Sequence, residues 1–116
     1  MNKRLERALE RITRISGVRG AMFVTADDGL IIADALMEGV RGNAIAALAA
    51  SLAKRFTRVS KAATVGSPQF LHLQAELGTL VIVPGPGGVL AVALGGPGMN
   101  LGLARLEMLR AIEVTT

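Results

Sequence analysis

Four carboxylates fall close together in this sequence: Asp27, Asp28, Asp34 and Glu38. A fold that gathers carboxylates onto one site can use them for acid–base work or to hold a divalent cation. Asp27-Asp28-Gly29 has a simpler meaning, an Asp-Gly turn between two apolar runs with the acids in water, and that is the reading adopted. Asp34 interrupts an apolar strand and is placed where that strand emerges near an interface. The single histidine, His72, would have to serve in any Ser-His-Asp triad. No activated nucleophile or orienting acid accompanies it, so it is given a structural or interface role. The absence of cysteine excludes a thiol nucleophile and every cysteine-ligated metal centre.

Glycine is the other residue type with chemical potential. Neither glycine-rich stretch completes a phosphate-binding motif. No glycine is followed by lysine, which excludes a Walker loop. The third glycine of a dinucleotide fingerprint would fall on Leu90 after Gly85 and Gly87, or on Leu101 after Gly96 and Gly98. These glycines belong to turns. The expectation is a protein with no catalytic residue, no cofactor and no metal of its own, and thus not an enzyme.

Charge is the remaining resource. Thirteen Lys and Arg stand against nine Asp and Glu, for a net charge of +4. The cations form two rows, Lys3, Arg4, Arg7, Arg11 and Arg14 near the start, and Lys54, Arg58 and Lys61 further on. Such rows meet solvent, phosphate or an acidic partner. With no Tyr or Trp and three Phe, no stacking platform for single strands exists, and nucleic acid is not the expected partner.

The elements that must position these residues follow from periodicity. The chain has 116 residues, 51% hydrophobic and 19% charged. It has the size of one domain over 1–116 and the composition of a packed core rather than of a disordered chain. A helix is expected over about residues 3–16, with Leu5, Ala8, Leu9, Ile12, Ile15 and Ser16 inward. A hairpin follows, Ala21–Ala26 and Leu30–Leu36. A second helix spans 42–60. Its apolar stripe, Ile45, Leu48, Leu52, Phe56 and Val59, is assigned to the core. A row of small residues, Ala46, Ala49, Ala50, Ala53 and Thr57, runs about 100° to one side. Strands are expected at Ser67–Ala75, Thr79–Val83 and Val89–Leu94. A last helix runs to about Ile112, capped by Asn100, with Leu101, Ala104, Met108 and Ile112 inward and Leu103, Leu106 and Leu109 widening that side.

From Leu77 to Ala104 no residue is charged, but Pro84-Gly85-Pro86-Gly87-Gly88 breaks the run into two strand-length pieces. It reads as a buried hairpin rather than a membrane span. The N-terminus has charges throughout and is not read as a signal peptide; a cytoplasmic location is expected. The order α-β-β-α-β-β-β-α, with strands apolar on both sides, predicts an α+β domain. A five-stranded antiparallel sheet lies between the second helix on one face and the first and last helices on the other.

Several strings in this order resemble the Roadblock family (dynein light chain 7 and its bacterial relatives, including the MglB branch). GVRGAMFVTADDGLIIADAL, from Gly17 to Leu36, is similar to that family's first hairpin. GNAIAALAASLAKR, Gly42 to Arg55, is similar to its Ala-rich second helix. LGTLVIVP, Leu77 to Pro84, resembles its fourth strand, and NLGLARLEMLR, Asn100 to Arg110, its closing helix. The resemblance covers essentially the whole chain, which is read as a bare domain without the terminal extensions of some MglB-type members. It implies a profilin-like fold and a non-enzymatic, dimerising regulator or scaffold of a small Ras-like GTPase.

A homodimer is expected through the second helices and the Gln69–Ala75 strands. The small row lets two helix backbones approach closely, and an edge strand offers unpaired backbone groups to a two-fold partner. The expected dimer residues are Ala46, Ala49, Ala50, Ala53, Thr57, Gln69, Leu71 and Leu73. Ala47, Ser51, Lys54 and Arg58 are expected to meet the GTPase. The rival reading is a basic module that uses the same cations on nucleic acid or an anionic membrane surface.

Overall fold

The first helix follows from the spacing of its apolar residues. In the structure, a computed structural model that describes residues 3–115, α1 (Lys3–Thr13) buries Leu5, Ala8, Leu9 and Ile12. That is an i, i+3, i+4, i+7 stripe. It closes three residues before the expected end. The Thr13 hydroxyl donates to the Leu9 carbonyl at 3.0 Å, and the chain then turns through Gly17, leaving Ile15 buried and Ser16 exposed.

β1 (Val18–Thr25) and β2 (Ile31–Leu36) pair antiparallel around the Asp-Gly turn, where Gly29 takes φ 69°. α2 (Gly42–Ala62) crosses over. β3 (Leu71–Gln74), β4 (Thr79–Pro84) and β5 (Val89–Gly95) form a meander. α3 (Leu101–Glu113) opens on Asn100, whose side-chain oxygen accepts from the Leu103 amide at 3.1 Å.

The sheet order is β2-β1-β5-β4-β3, antiparallel throughout. Hairpin and meander join through β1 and β5, so β2 and β3 are the two edges. The central strands are apolar on both sides, as their sequences require. Ala21, Phe23, Val81, Val83, Ala91 and Ala93 pack with α1 and α3, while Met22, Val24, Ile82, Leu90 and Val92 pack with α2. Each large side chain so buried contributes about 1.5–3 kcal/mol relative to exposure. The result is the expected α+β arrangement, α2 on one face of the sheet and α1 with α3 on the other.

Three expectations are corrected. The faces of α2 are exchanged. Ala46, Ala49, Ala50 and Ala53 are buried against the chain's own sheet, while Leu48, Phe56 and Val59 are exposed and Ile45 and Leu52 half-buried. The reason is volume: the sheet already supplies Met22, Val24, Ile82, Leu90 and Val92 to that layer, and an alanine row lets the helix settle onto them at native packing density. Second, the strand expected over Ser67–Ala75 is only Leu71–Gln74. Leu71 pairs with Ile82, so the same register would set Gln69 opposite Pro84, which has no N–H to donate. Third, Leu103 and Leu106 of α3 point outward instead of widening its core side.

Candidate functional site

The exchanged faces of α2 create the site. With the alanines down on the sheet, the bulky stripe lies on one flank of the helix, about 110° round from them. Leu48 is 68% exposed and Val59 62%. Below this flank run β3 and β4. Register puts Leu71 opposite Ile82 and Leu73 opposite Leu80, so both β3 leucines share the α2 side of the sheet. Two clefts lie between helix and strands. One of about 510 Å³ is walled by Leu52, Phe56, Phe70, Leu71 and Ile82, with His72 at its rim. The other, about 310 Å³, is walled by Ile45, Leu48, Leu73, Leu77, Leu80 and Leu94. Helix flank, clefts and strand make one apolar strip along the β3 edge, left uncovered by its own chain. Contiguous exposed apolar surface of this kind marks an interaction site.

The two sheet edges differ. On β2 the pairing with β1 slips between Phe23–Ala33 and Val24–Ile31, leaving Ile32 as the extra residue of a bulge, and Asp34 stands exposed beyond it. A bulge and a charge both discourage strand addition. β3 pairs with β4 in unbroken register and carries leucines, so it is the receptive edge.

The opposite flank of α2 is polar. Ala47, Ser51, Lys54 and Arg58 are all exposed and run in one row, and α2 contains no acidic residue. The hairpin turn lies against this row. Lys54 Nζ donates to the Asp27 carbonyl at 2.6 Å, and a Cβ on Gly29 would stand 2.9 Å from the Ala47 Cα.

Of the residues expected at a dimer contact, Leu71 and Leu73 lie in the apolar strip. Ala46, Ala49, Ala50 and Ala53 do not, being covered by their own sheet. Thr57 is half-buried, its hydroxyl donating to the Ala53 carbonyl at 2.8 Å, and Gln69 lies ahead of β3. The residues that periodicity assigns to the core and the structure leaves exposed are Leu48, Phe56 and Val59, while Ile45 and Leu52 pack against the core from its margin. A signal was present: small residues on one stripe of a helix suit close approach to a sheet that is bulky on both faces.

The sequence-adjacent carboxylates do not assemble. Asp27 and Asp28 sit at the hairpin turn and Glu38 in the loop before α2, all exposed. Asp34 instead lines a cleft of about 490 Å³ with Glu6 and Glu10 of α1. Among the described residues, no three His, Cys, Asp or Glu side chains gather as a metal site would need. Nor is any helix long and apolar enough to cross a membrane.

Fold and surface together define a class, the three-layer α+β domain with an apolar helix flank beside an open strand edge. The chain belongs to the Roadblock/LC7 domain family, whose model matches residues 4–94. No curated protein matches its sequence. Among solved structures it is similar to a Roadblock/LC7 domain from Streptomyces avermitilis, at 15% identity and TM-score 0.84, covering 94% of this chain and 92% of that one. MglB of Myxococcus xanthus is similar at 18% identity and TM-score 0.85, with 97% and 91% covered. The gliding protein MglB of Thermus thermophilus is similar at 23% identity and TM-score 0.84, with 96% and 84% covered. At these identities the likeness is one of fold.

Proposed function

We propose that this protein is a non-enzymatic dimeric regulator or scaffold of a small Ras-like GTPase. The observation that carries the reading is the apolar strip formed by Leu48, Leu52, Phe56 and Val59 of α2 with Leu71 and Leu73 of β3. A second copy is its occupant. Two β3 edges meeting about a two-fold axis continue the sheet from one protomer into the next and set the two α2 apolar flanks against each other. The contact thus uses the large residues of α2 in place of its alanines.

Dimerisation by this route leaves the polar row Ala47, Ser51, Lys54 and Arg58 open on each α2. Two such rows make a composite surface that one chain lacks, and its cations steer an acidic partner toward it. Membership of the Roadblock/LC7 family supports a small GTPase as that partner.

The test is binding of a small Ras-like GTPase from the same genome, loaded with GTP or with GDP, to wild type and to Arg58→Glu. Nucleotide-dependent binding that survives moderate salt and falls in the variant is expected. Tight binding of random duplex DNA, steeply salt-dependent and lost in Arg58→Glu, without nucleotide-dependent GTPase binding, overturns the reading.

A further inference from the structure

The layer formed by α1 and α3 lies on the far side of the sheet from α2 and takes no part in the function just proposed. Its outer surface is organised. Lys3 and Arg7 of α1, with Arg14 one residue past its end, lie roughly opposite the buried row, and all three are exposed. They point away from the sheet along a line of about 16 Å, at 1.5 Å of rise per residue. Glu6 and Glu10 of α1 line the cleft beside β2, and Glu10 also pairs with Arg14 at 3.9 Å, both side chains remaining largely exposed. Arg11 takes the other flank and reaches Glu107 of α3 at 3.8 Å. Arg110 holds the same carboxylate at 3.3 Å, and Glu107 keeps only 12% of its side chain exposed. One acid is thus enclosed by two guanidiniums, and the face turned to solvent carries more cations than acids.

Leucines interrupt this cationic face. Leu103 is 43% exposed and Leu106 46%, and Leu103 stands beside Arg11 and Arg14. The depression between the two helices, lined by Arg11, Arg14, Ile15, Leu103 and Glu107, measures only about 200 Å³.

We propose that the α1/α3 layer docks this protein on an anionic lipid surface. A broad face with outward cations and two exposed leucines suits a planar anionic interface. There the cations meet headgroups and the leucines reach the acyl boundary. Nucleic acid would satisfy the cations and leave the leucines against phosphate and water. The proposal stands on each protomer's own outer layer and does not require the dimer.

The experiment is sedimentation of the full chain with vesicles of phosphatidylcholine alone and of phosphatidylcholine mixed with phosphatidylglycerol. Random duplex DNA forms a parallel arm. The expected result is binding to the mixed vesicles and not to the neutral ones, weakened by raised salt. Arg7→Glu/Arg14→Glu weakens it at least about tenfold, and Leu103→Ser/Leu106→Ser by a smaller factor. Arg41→Glu/Arg55→Glu, the same change of net charge on the α2 side, leaves it unchanged. All these side chains are exposed, and circular dichroism checks that each variant folds. Equal binding to both vesicle types, no binding, or retention by Arg7→Glu/Arg14→Glu overturns the proposal. So does a loss that follows Arg41→Glu/Arg55→Glu instead, or DNA binding lost in Arg7→Glu/Arg14→Glu without vesicle binding.

Discussion

Lys54, in the middle of α2, donates from Nζ to the backbone carbonyl of Asp27 at 2.6 Å and so ties the helix to the turn of the first hairpin. The bond joins residues 27 positions apart. It sets the exposed carboxylates of Asp27 and Asp28 beside the cationic row of α2, so the polar flank carries both signs of charge. Because the bond is exposed, its net worth is modest. Lys54→Met is expected to cost at most about 1 kcal/mol, a fall in Tm of roughly 4 °C for a domain of this size. Amide exchange in the turn at Gly29 and Leu30 should speed up. A fall several times larger would mean that the clamp holds more of the fold than its turn.

The two faces of α2 make opposite demands on substitutions. Leu48→Arg places a charge on the exposed flank, so the chain should still fold while its light-scattering mass drops from dimer to monomer. Ala50→Arg forces a long cation into the layer held by Met22, Val24 and Ile82, where Ala50 is 4% exposed. Overpacking and an unpaired buried charge should there cost several kcal/mol and lower Tm steeply. A folded, monomeric Ala50→Arg beside a fully dimeric Leu48→Arg would restore the alanine row as the contact.

The C-terminus of α2 carries a correctable strain. Thr64 lies at φ 61°, alone among non-glycine residues with positive φ in the described chain. The Val65 amide donates to the Ser60 carbonyl at 3.0 Å and the Thr64 amide to Lys61 at 3.0 Å, the bonding of a Schellman cap, where glycine is the usual occupant. A left-handed L-residue costs about 1–2 kcal/mol, and glycine gives back roughly half of that in chain entropy. Thr64→Gly should therefore stabilise the protein by about 0.5–1 kcal/mol, seen as a Tm rise of a few degrees. An unchanged or lower Tm would refute the strain.

Gly17 is the opposite case. Its φ is +89°, and an added Cβ would stand 2.7 Å from the Met99 Cα, where backbone blocks relief. Gly17→Ala combines left-handed strain with overpacking, for a loss of about 3 kcal/mol or more in urea titration. The neighbouring loop, where Asn100 donates to the Ser16 carbonyl at 3.3 Å, should loosen with it. A loss below about 1 kcal/mol would show that the α1–β1 turn can move away from Met99.

The sequence by itself determined the elements and their layering. Asp27-Asp28-Gly29 dictates a hairpin because Gly29 accepts positive φ. Strands apolar on both sides, such as Leu80–Val83 and Leu90–Val92, require helices on both faces, and Asn100 marks a helix start because its side chain can bond the Leu103 amide. What only the tertiary structure decided is which stripe of α2 meets the sheet and which strand edge stays open. Periodicity shows that α2 has an alanine row and a leucine row, but both are apolar. The choice depends on the bulk that Met22, Val24, Ile82, Leu90 and Val92 bring from distant strands. The length of β3 likewise depends on Pro84, a residue of another strand, because a ladder ends where its partner has no N–H to give. Leu103 and Leu106 face outward for the same reason. One helix's pattern gives its apolar residues, and the neighbours it packs against determine how many of them the core has room to take.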